Sequence, residues 1–192
     1  MSKKFLLLLT VLSFTLLGGC ATTGGDQRDP IEGLNRAIYK FNDGLDRMLF
    51  KPVAKGYRAV THGPVDKGVS NFFGNIEDVV TTVNGLLQFK FRQGGSDAMR
   101  VLINSTIGLL GIFDVASGIG FEKHDEDFGQ TLGSWGVGHG PYLMLPLFGP
   151  SSVRDATGKF VDASAFDPMY KIDHVPTRNT LRAIEAVDTR AD

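Results

Sequence analysis

The sequence of 192 residues has only one cysteine, one tryptophan and no surplus of basic charge. A single cysteine excludes a disulfide framework and a cysteine-based zinc site within the chain. The 20 Lys and Arg residues are balanced by 21 Asp and Glu residues, which argues against nucleic acid as a partner, because binding to phosphates requires a basic surplus. No apolar run reaches the roughly 20 residues that a membrane-spanning helix requires.

Glycine and phenylalanine are the residues that the sequence has in excess. Glycine accounts for 24 of the 192 residues, well above its average share of about 7%. Phenylalanine accounts for 14 residues, against four tyrosines and one tryptophan. Since phenylalanine carries no polar group, this bias favours dry or lipid surroundings.

The N-terminus has the pattern of a bacterial lipoprotein signal. Two lysines precede an apolar run that ends in the sequence GGC, so residues 1–19 are predicted to be a cleaved signal peptide. The only cysteine lies at the cleavage point, which favours lipidation of Cys20 over an ordinary signal peptide with a chance cysteine. Residues 20–28 would then be a lipidated tether. The residue after the cysteine is Ala21 and not an aspartate. By resemblance to known lipoprotein sorting, this indicates the outer membrane rather than retention at the inner membrane.

Helical periodicity predicts an all-α domain over residues 29–192. Asp29, Pro30 and Glu32 form a helix-start pattern, and the helix they begin is expected to end near residue 50, where Pro52 interrupts it. The pattern of proline and capping residues predicts further helix starts at Pro52, Pro64, Asn75, Ser96 and Ser152. A last helix is expected over roughly 176–190, where apolar residues recur at helical spacing.

One apolar segment, residues 101–113, has no charged residue between Arg100 and Asp114. As a helix of thirteen residues it would be about 20 Å long, whereas the hydrocarbon core of a bilayer is about 30 Å thick. The segment could therefore lie in one leaflet but could not cross both. A buried helix of a water-soluble core remains an alternative interpretation.

The sequence His124-Asp125-Glu126-Asp127 is the only concentrated group of titratable residues. It could be a metal site or a general acid and base for a membrane-tethered hydrolase. Consecutive residues point in different directions, however, and no second set lies at ligand spacing. We favour the interpretation that the acids begin a helix over Phe128–Trp135, where the helix dipole stabilises negative charge.

Residues 139–150 are strongly apolar yet contain Pro141, Pro146 and Pro150. Three prolines argue against a regular helix or a central strand, so an irregular loop is expected. Such a loop at membrane depth must pack against protein or line a watery cavity. A loop packed on a water-soluble core is the alternative.

Several motifs, in order along the chain, resemble the MlaA/VacJ family of outer-membrane lipoproteins. They are DPIEGLNR at 29–36, KPVA at 51–54, HDEDFGQTLG at 124–133, WGVG at 135–138, GPY at 140–142 and GPSSVRD at 149–155. The resemblance covers about residues 29–190. The chain ends at Asp192, whereas family members usually continue, so the resemblance implies a short C-terminal end.

The resemblance implies a ring-like helical domain that is partly embedded in one membrane leaflet. It also implies a passive channel that removes mislocalised phospholipids from the outer leaflet and passes them to a periplasmic carrier, which maintains lipid asymmetry. Association with trimeric porins is implied as well. The alternative function is a structural adaptor that binds porin and has no conduit of its own. Neither function needs a catalytic group, a metal or a cofactor beyond the lipid on Cys20.

Channel-lining or gating positions are the least determined part of this hypothesis. The candidates lie on the first helix and in the proline-rich loop: Phe41, Asn42, Pro141, Tyr142 and Pro146. A plainer interpretation makes Phe41 a core residue and Asn42 a solvated one.

Overall fold

The computed structural model describes residues 29–61 and 63–191, which form a helical protein with one small hairpin. The helices are α1 (Glu32–Leu45), α2 (Lys51–Val60), α3 (Pro64–Leu87), α4 (Phe91–Thr106), α5 (Val115–Gly118), α6 (Phe128–Ser134), α7 (Val153–Val161) and α8 (Val175–Ala191). The hairpin pairs β1 (Tyr142–Leu145) with β2 (Gly149–Ser152). The all-α prediction is confirmed. The predicted signal peptide, Cys20 and the tether lie outside the described residues.

The first two helices form one nearly continuous rod. A π-helical turn, Asp46–Phe50, leads directly from α1 into α2. The helix boundary predicted near residue 50 and the helix start predicted at Pro52 are confirmed, since α2 begins at Lys51 and this proline lies in its first turn, where its missing N–H is not needed. The predicted cap at Asp29, by contrast, is wrong. Helix α1 begins without a side-chain cap, since the Asp29 carboxylate instead accepts a hydrogen bond from Asn35 Nδ2 at 2.6 Å.

Helices α3 and α4 form a long antiparallel pair, which makes the most extensive helix contact of the fold. Helix α3 runs without a break from Pro64 to Leu87, so the predicted helix start at Asn75 is wrong. The Asn75 amide is buried inside the helix and donates to Ser105 Oγ of α4 at 3.0 Å. The predicted start at Ser96 is wrong as well, because α4 begins five residues earlier, at Phe91.

The apolar segment 101–113 is helical only in its first half. Helix α4 ends at Thr106, and Leu109, Leu110 and Gly111 have φ values of 53°, 60° and 92°. A side chain at Gly111 would place its Cβ 2.5 Å from Asn75 Cβ, so only glycine fits there. The predicted thirteen-residue helix is therefore replaced by a tight apolar turn that folds back onto α3.

The proline-rich segment 139–150 contains β1 and part of β2, so the prediction of an irregular loop is wrong. In the two-stranded ribbon Tyr142 is paired with Ser152 and Leu145 with Gly149. A hairpin with two strands has only edges, which is where a strand proline such as Pro150 is tolerated. Pro141 and Pro146 flank β1 and remain exposed.

The predicted cap at Ser152, the helix start predicted after the acidic residues 124–127 and the last helix are confirmed. Asp127 accepts a hydrogen bond from Gln130 N at the start of α6, and Ser152 Oγ accepts one from Asp155 N at the start of α7. Helices α6 and α7 approach so closely that a Cβ at Gly158 would lie 2.2 Å from Gly129 N.

Helix α8 packs against α2 and closes the described fold. Tyr57 donates to Asp188 Oδ1 at 2.8 Å, and burial together with this carboxylate raises the pKa of Tyr57 to about 12. No helix within residues 29–61 and 63–191 has both the length and the hydropathy to cross a membrane.

Candidate functional site

The interior of the described residues is mainly polar. Only six of the described buried residues are apolar, and three of these are small alanines: Ala54, Phe73, Ala116, Met144, Met169 and Ala191. Twelve buried residues are polar or charged: Asn35, Asn75, Asp78, Thr81, Asn84, Asp97, Arg100, Asn104, Glu126, Thr131, Ser152 and Asp188. Water-soluble proteins bury such side chains far less often than Ile, Leu, Val and Phe.

The exterior is correspondingly apolar. Met48 and Val60 are 82% and 79% exposed, and Phe89, Leu110 and Phe148 are each at least 70% exposed. Each large apolar side chain left in water forgoes about 1.5–3 kcal/mol of transfer free energy. Extended apolar surfaces of this kind indicate contact with a membrane or a partner.

This inversion, in which polar side chains are buried and apolar ones are exposed, follows from the spacing of residues on α3 and α4. On α3, Asn75, Asp78, Thr81 and Asn84 recur at every third position and so share one buried face. On α4, a polar stripe faces them, formed by Asp97, Arg100 and Asn104. Several large apolar residues of the two helices, such as Leu86, Met99 and Leu102, are exposed instead.

Arg100 is the centre of the buried network, with only 2% of its residue surface exposed. Its Nε donates to Asp78 Oδ2 at 3.2 Å, and its Nη2 lies 3.4 Å from both carboxylate oxygens of Asp114. Its Nη1 donates to Ser117 Oγ at 2.9 Å and to the Phe121 carbonyl at 2.8 Å. One guanidinium thus ties α3, α4 and α5 together.

The two carboxylates around Arg100 have opposite pKa shifts. Burial raises the pKa of Asp78, and the nearby charges of Lys123 and Arg100 offset only part of that effect. Partial burial acts in the same direction on Asp114, but hydrogen bonds from Ser117 and Asn104 outweigh it and lower the pKa of Asp114 to about 2. Asp114 is therefore ionised at neutral pH.

A second polar network joins α3 to α6 and to the turn after α7. Asn84 Nδ2 donates to Asp162 Oδ1 at 2.8 Å, and Thr131 Oγ1 donates to Asn84 Oδ1 at 2.8 Å. The other oxygen of Asp162 accepts a hydrogen bond from Phe128 N at 2.9 Å. These contacts satisfy polar groups that would otherwise be costly to bury.

The acidic sequence at 124–127 does not converge on one site. His124 Nδ1 lies 2.8 Å from Asp97 Oδ1, whereas Glu126 accepts hydrogen bonds from Lys90 at 2.6 Å and Gln93 at 2.8 Å. Asp127 caps α6. The interpretation of these acids as a helix start is confirmed. Among the described residues no group of His, Cys, Asp and Glu has the arrangement of a metal site.

Two asparagines of α1 hold the hairpin by its backbone. Asn35 Nδ2 donates to the Tyr142 carbonyl at 3.2 Å, and Asn35 Oδ1 accepts from Met144 N at 2.8 Å. Asn42 Nδ2 donates to the Leu145 carbonyl at 2.9 Å, and its Oδ1 accepts from Leu147 N at 2.9 Å. Each amide therefore replaces the missing neighbour of an edge strand.

The structure brings together several of the predicted lining residues, and their role in lining or gating stays a prediction. Asn42 bridges the two residues on either side of Pro146, and Tyr142 lies at the other end of β1. Pro141 is exposed just before the strand, and its carbonyl accepts from Val153 N at 3.3 Å. Phe41 is 56% exposed, so the plainer interpretation of a core Phe41 beside a solvated Asn42 is wrong. Cys20 lies outside the described residues.

Sequence reasoning missed Asn35 and Arg100. The signal for Asn35 is its spacing of seven from Asn42, two helical turns that place both amides on one face of α1. The signal for Arg100 is its place in the stripe Asp97, Arg100 and Asn104, opposite the polar stripe of α3. Both signals emerge once polar rather than apolar residues are tested for helical periodicity.

Together these features define a class of protein, namely a helical protein with an apolar exterior and a polar, charge-paired interior. The chain belongs to the MlaA lipoprotein family, whose sequence model matches residues 27–192. The resemblance deduced from the motifs is thereby confirmed.

The chain is similar to proteins of known and unknown role. It is 38% identical over 196 aligned residues to the intermembrane phospholipid transport system lipoprotein MlaA of Escherichia coli, covering 98% of this chain and 77% of that protein. It is also 38% identical over 146 residues to an uncharacterised protein of Rickettsia prowazekii, covering 76% of this chain. The chain spans 58% to 64% of the length of the first three Rickettsia relatives.

The fold is similar to that of a solved structure that concerns the structural basis for maintenance of bacterial outer membrane lipid asymmetry. The TM-score is 0.74 at 33% sequence identity, and the match covers 85% of this chain and 83% of that chain. This similarity extends the family relationship from the sequence to the arrangement of the helices.

Proposed function

We propose that this protein is an outer-membrane lipoprotein that forms a passive channel for phospholipids. It would remove mislocalised phospholipids from the outer leaflet and so maintain lipid asymmetry. Phospholipid transport is inferred from the relatives, since the similar protein of Escherichia coli is named for intermembrane phospholipid transport. The physical support comes from this chain's own surfaces.

The observation that carries the proposal is the inversion of apolar and polar side chains. Residues such as Phe89, Leu110 and Phe148 are exposed, whereas Asp78, Arg100 and Asn104 are buried. An apolar exterior is stable where hydrocarbon replaces water, because apolar surface then has no hydration cost. We infer that the domain is partly embedded in one leaflet.

The relatives favour a conduit over a porin-binding adaptor, because the similar protein of Escherichia coli is named for intermembrane phospholipid transport. A phospholipid headgroup pays a large cost in hydrocarbon unless polar groups accompany it along its path. An adaptor needs an outer contact surface but no such path. Passage of this kind requires no catalytic group, and we propose that the protein is not an enzyme and needs no metal or cofactor.

The anchor and the partners complete the proposal. A lipid on Cys20 would hold the domain at the periplasmic side of the outer membrane, since several acyl chains give stable anchoring. The proposed partners are phospholipids, a trimeric porin and the soluble periplasmic carrier of the same pathway.

A transfer assay tests the proposal. The lipidated protein is reconstituted in liposomes that contain a fluorescent phospholipid, and release to a soluble lipid acceptor is measured. We expect faster release than from liposomes without protein. In cells, deletion of the gene is expected to increase outer-leaflet phospholipid and sensitivity to detergent.

Two results would contradict the proposal. One is a release rate equal to that of protein-free liposomes, which is the outcome expected for an adaptor. The other is unchanged lipid asymmetry in the deletion strain. Deletion of the gene followed by re-expression of the wild-type protein is the matched control.

A further inference from the structure

A recess of about 410 Å³ lies where the first turns of α3 meet the chain before and at the start of α5. Its lining includes Lys67, Asn71, Ile112, Phe113 and Asp114. Asn71 Nδ2 donates to the Ile112 carbonyl at 3.0 Å and so fixes the two walls relative to each other. The volume lies within the range of about 300–1,000 Å³ that is typical of small-molecule sites.

Two opposite charges line this recess. Lys67 takes part in none of the ion pairs within 4 Å that the described residues form, and its side chain is exposed. Asp114 is held in place by Asn104 Nδ2 at 3.0 Å and by Ser117 N at 3.1 Å. Arg100 Nη2 and Ser117 Oγ also donate to this carboxylate, and its side chain remains 27% exposed at the recess.

The wall next to these charges is apolar and faces outward. Ile112 and Phe113 are 44% and 57% exposed, and the preceding Leu109 and Leu110 are 61% and 70% exposed. Both leucines have left-handed backbone conformations, which large apolar residues seldom adopt. No contact within the described fold offsets the unfavourable hydration of these exposed side chains, whereas contact with an external apolar phase would.

We propose that this recess binds the headgroup of one zwitterionic glycerophospholipid. The phosphate would accept hydrogen bonds from Lys67 Nζ, the ammonium group would contact the Asp114 carboxylate, and the acyl chains would lie over Phe113 and Leu110. A simple anion would be repelled by Asp114. An uncharged lipid would leave both charges without a partner.

This inference rests on the proposed function in one respect, since it takes the protein to be surrounded by phospholipid. It adds a defined lipid site on the outside of the α3–α4 pair. Binding to that site and transfer of lipid can be measured separately.

The test is native mass spectrometry of the purified protein in detergent, titrated with phosphatidylethanolamine, phosphatidylglycerol or diacylglycerol. The variants are Lys67→Ala and Lys67→Glu. Lys40→Ala is the matched control, because Lys40 is exposed on α1 and far along the chain from the recess. Circular dichroism verifies that each variant is folded.

We expect the wild-type protein to bind phosphatidylethanolamine about tenfold more tightly than either other lipid, a difference of roughly 1.4 kcal/mol. Both Lys67 variants should lose about tenfold in affinity, and Lys40→Ala should bind as the wild type does. Unchanged binding by the Lys67 variants would overturn the site. Equal binding of phosphatidylethanolamine and phosphatidylglycerol by the wild-type protein would overturn the role of Asp114.

The transfer assay separates this inference from the proposed function. Transfer by the wild-type protein together with binding that is insensitive to Lys67 would reject the recess and leave the function. Binding that depends on Lys67 in a protein that transfers no lipid would reject the function and leave the recess.

Discussion

The α3–α4 pair and the β1–β2 hairpin are both held by polar side chains, but one by a charged pair and the other by neutral amides. Arg100 and Asp78 pair where each side chain is only 2% exposed, so their interaction is largely shielded from water. Asn35 and Asn42 instead bind the backbone of a two-stranded ribbon whose turn carries exposed Leu147 and Phe148. The first contact stabilises the whole fold, and the second fastens one element to its surface.

The difference in charge determines how each region should fail. Removing one member of a buried ion pair leaves an uncompensated charge in the interior and destabilises the entire molecule. Removing a neutral amide leaves one backbone N–H and one backbone carbonyl of the hairpin without a partner, which costs less than an unpaired buried charge. We therefore expect global unfolding in one case and local release in the other.

The largest expected effect is on Arg100. The variant Arg100→Met should lower the free energy of unfolding by about 3–5 kcal/mol, because it leaves Asp78 buried without its partner. Denaturant unfolding in detergent micelles measures this change. Arg92→Met, at an exposed position of the same helix, is the control. An equal unfolding midpoint for both variants would show that the buried pair does not stabilise the fold.

Next in size is a pH effect at Asp114. Its pKa is lowered from 3.8 to about 2 in the folded protein, so its ionised form stabilises the fold above pH 3.8. That contribution, about 2 kcal/mol, should be lost as the pH falls from about 4 to 2. Unfolding of the wild type and of Asp114→Asn is compared across this range. A loss of stability that is as steep in Asp114→Asn would assign the effect to other carboxyl groups.

A smaller and local effect is expected at the hairpin. Asn35→Ala and Asn42→Ala should each cost about 1–2 kcal/mol, visible as faster hydrogen exchange of the hairpin rather than as early global unfolding. Each variant is the matched control for the other. Asn35→Ala should expose the amide of Met144, and Asn42→Ala should expose that of Leu147. Uniformly faster exchange in α3 and α4 would refute the distinction between the two regions.

The smallest effect on stability is expected at the exposed apolar residues. Phe89→Ser and Leu110→Ser should leave unfolding in detergent nearly unchanged, since neither side chain is buried. Each should weaken membrane binding by about tenfold, because a buried Leu or Phe contributes about 1.5–3 kcal/mol. Flotation with liposomes, using the Cys20→Ser background to remove the lipid anchor, measures this. Gln130→Ser is the control, and equal flotation of all variants would argue against immersion in the leaflet.

Capping residues predicted helix ends only where packing left the end free. Asp127 and Ser152 cap α6 and α7 as the sequence indicates. Asn75 and Ser96 are equally good capping residues by type, yet both lie inside helices. The reason is that Asn75 Nδ2 donates to Ser105 Oγ across the α3–α4 contact, so this group has a partner without a helix end.

The sequence identified some residues of the candidate site but not their positions relative to one another. Asn42 and Tyr142 were singled out from the sequence, and the structure places both at the hairpin. Asn35 was missed, because a search for apolar stripes treats an asparagine between Leu34 and Arg36 as a solvated residue. Its partners are more than 100 residues away in the chain, so only the folded structure identifies them.

By itself the sequence determined that the chain is helical and that it belongs to its family, because periodicity, capping and motif order are local properties. The tertiary structure decided which face of each helix is buried. Polar stripes on α3 and α4 pair their hydrogen bonds and charges with each other and with neighbouring elements, and that pairing leaves many large apolar side chains exposed. Whether a stripe faces inward depends on what lies opposite it, which no single segment of the chain contains.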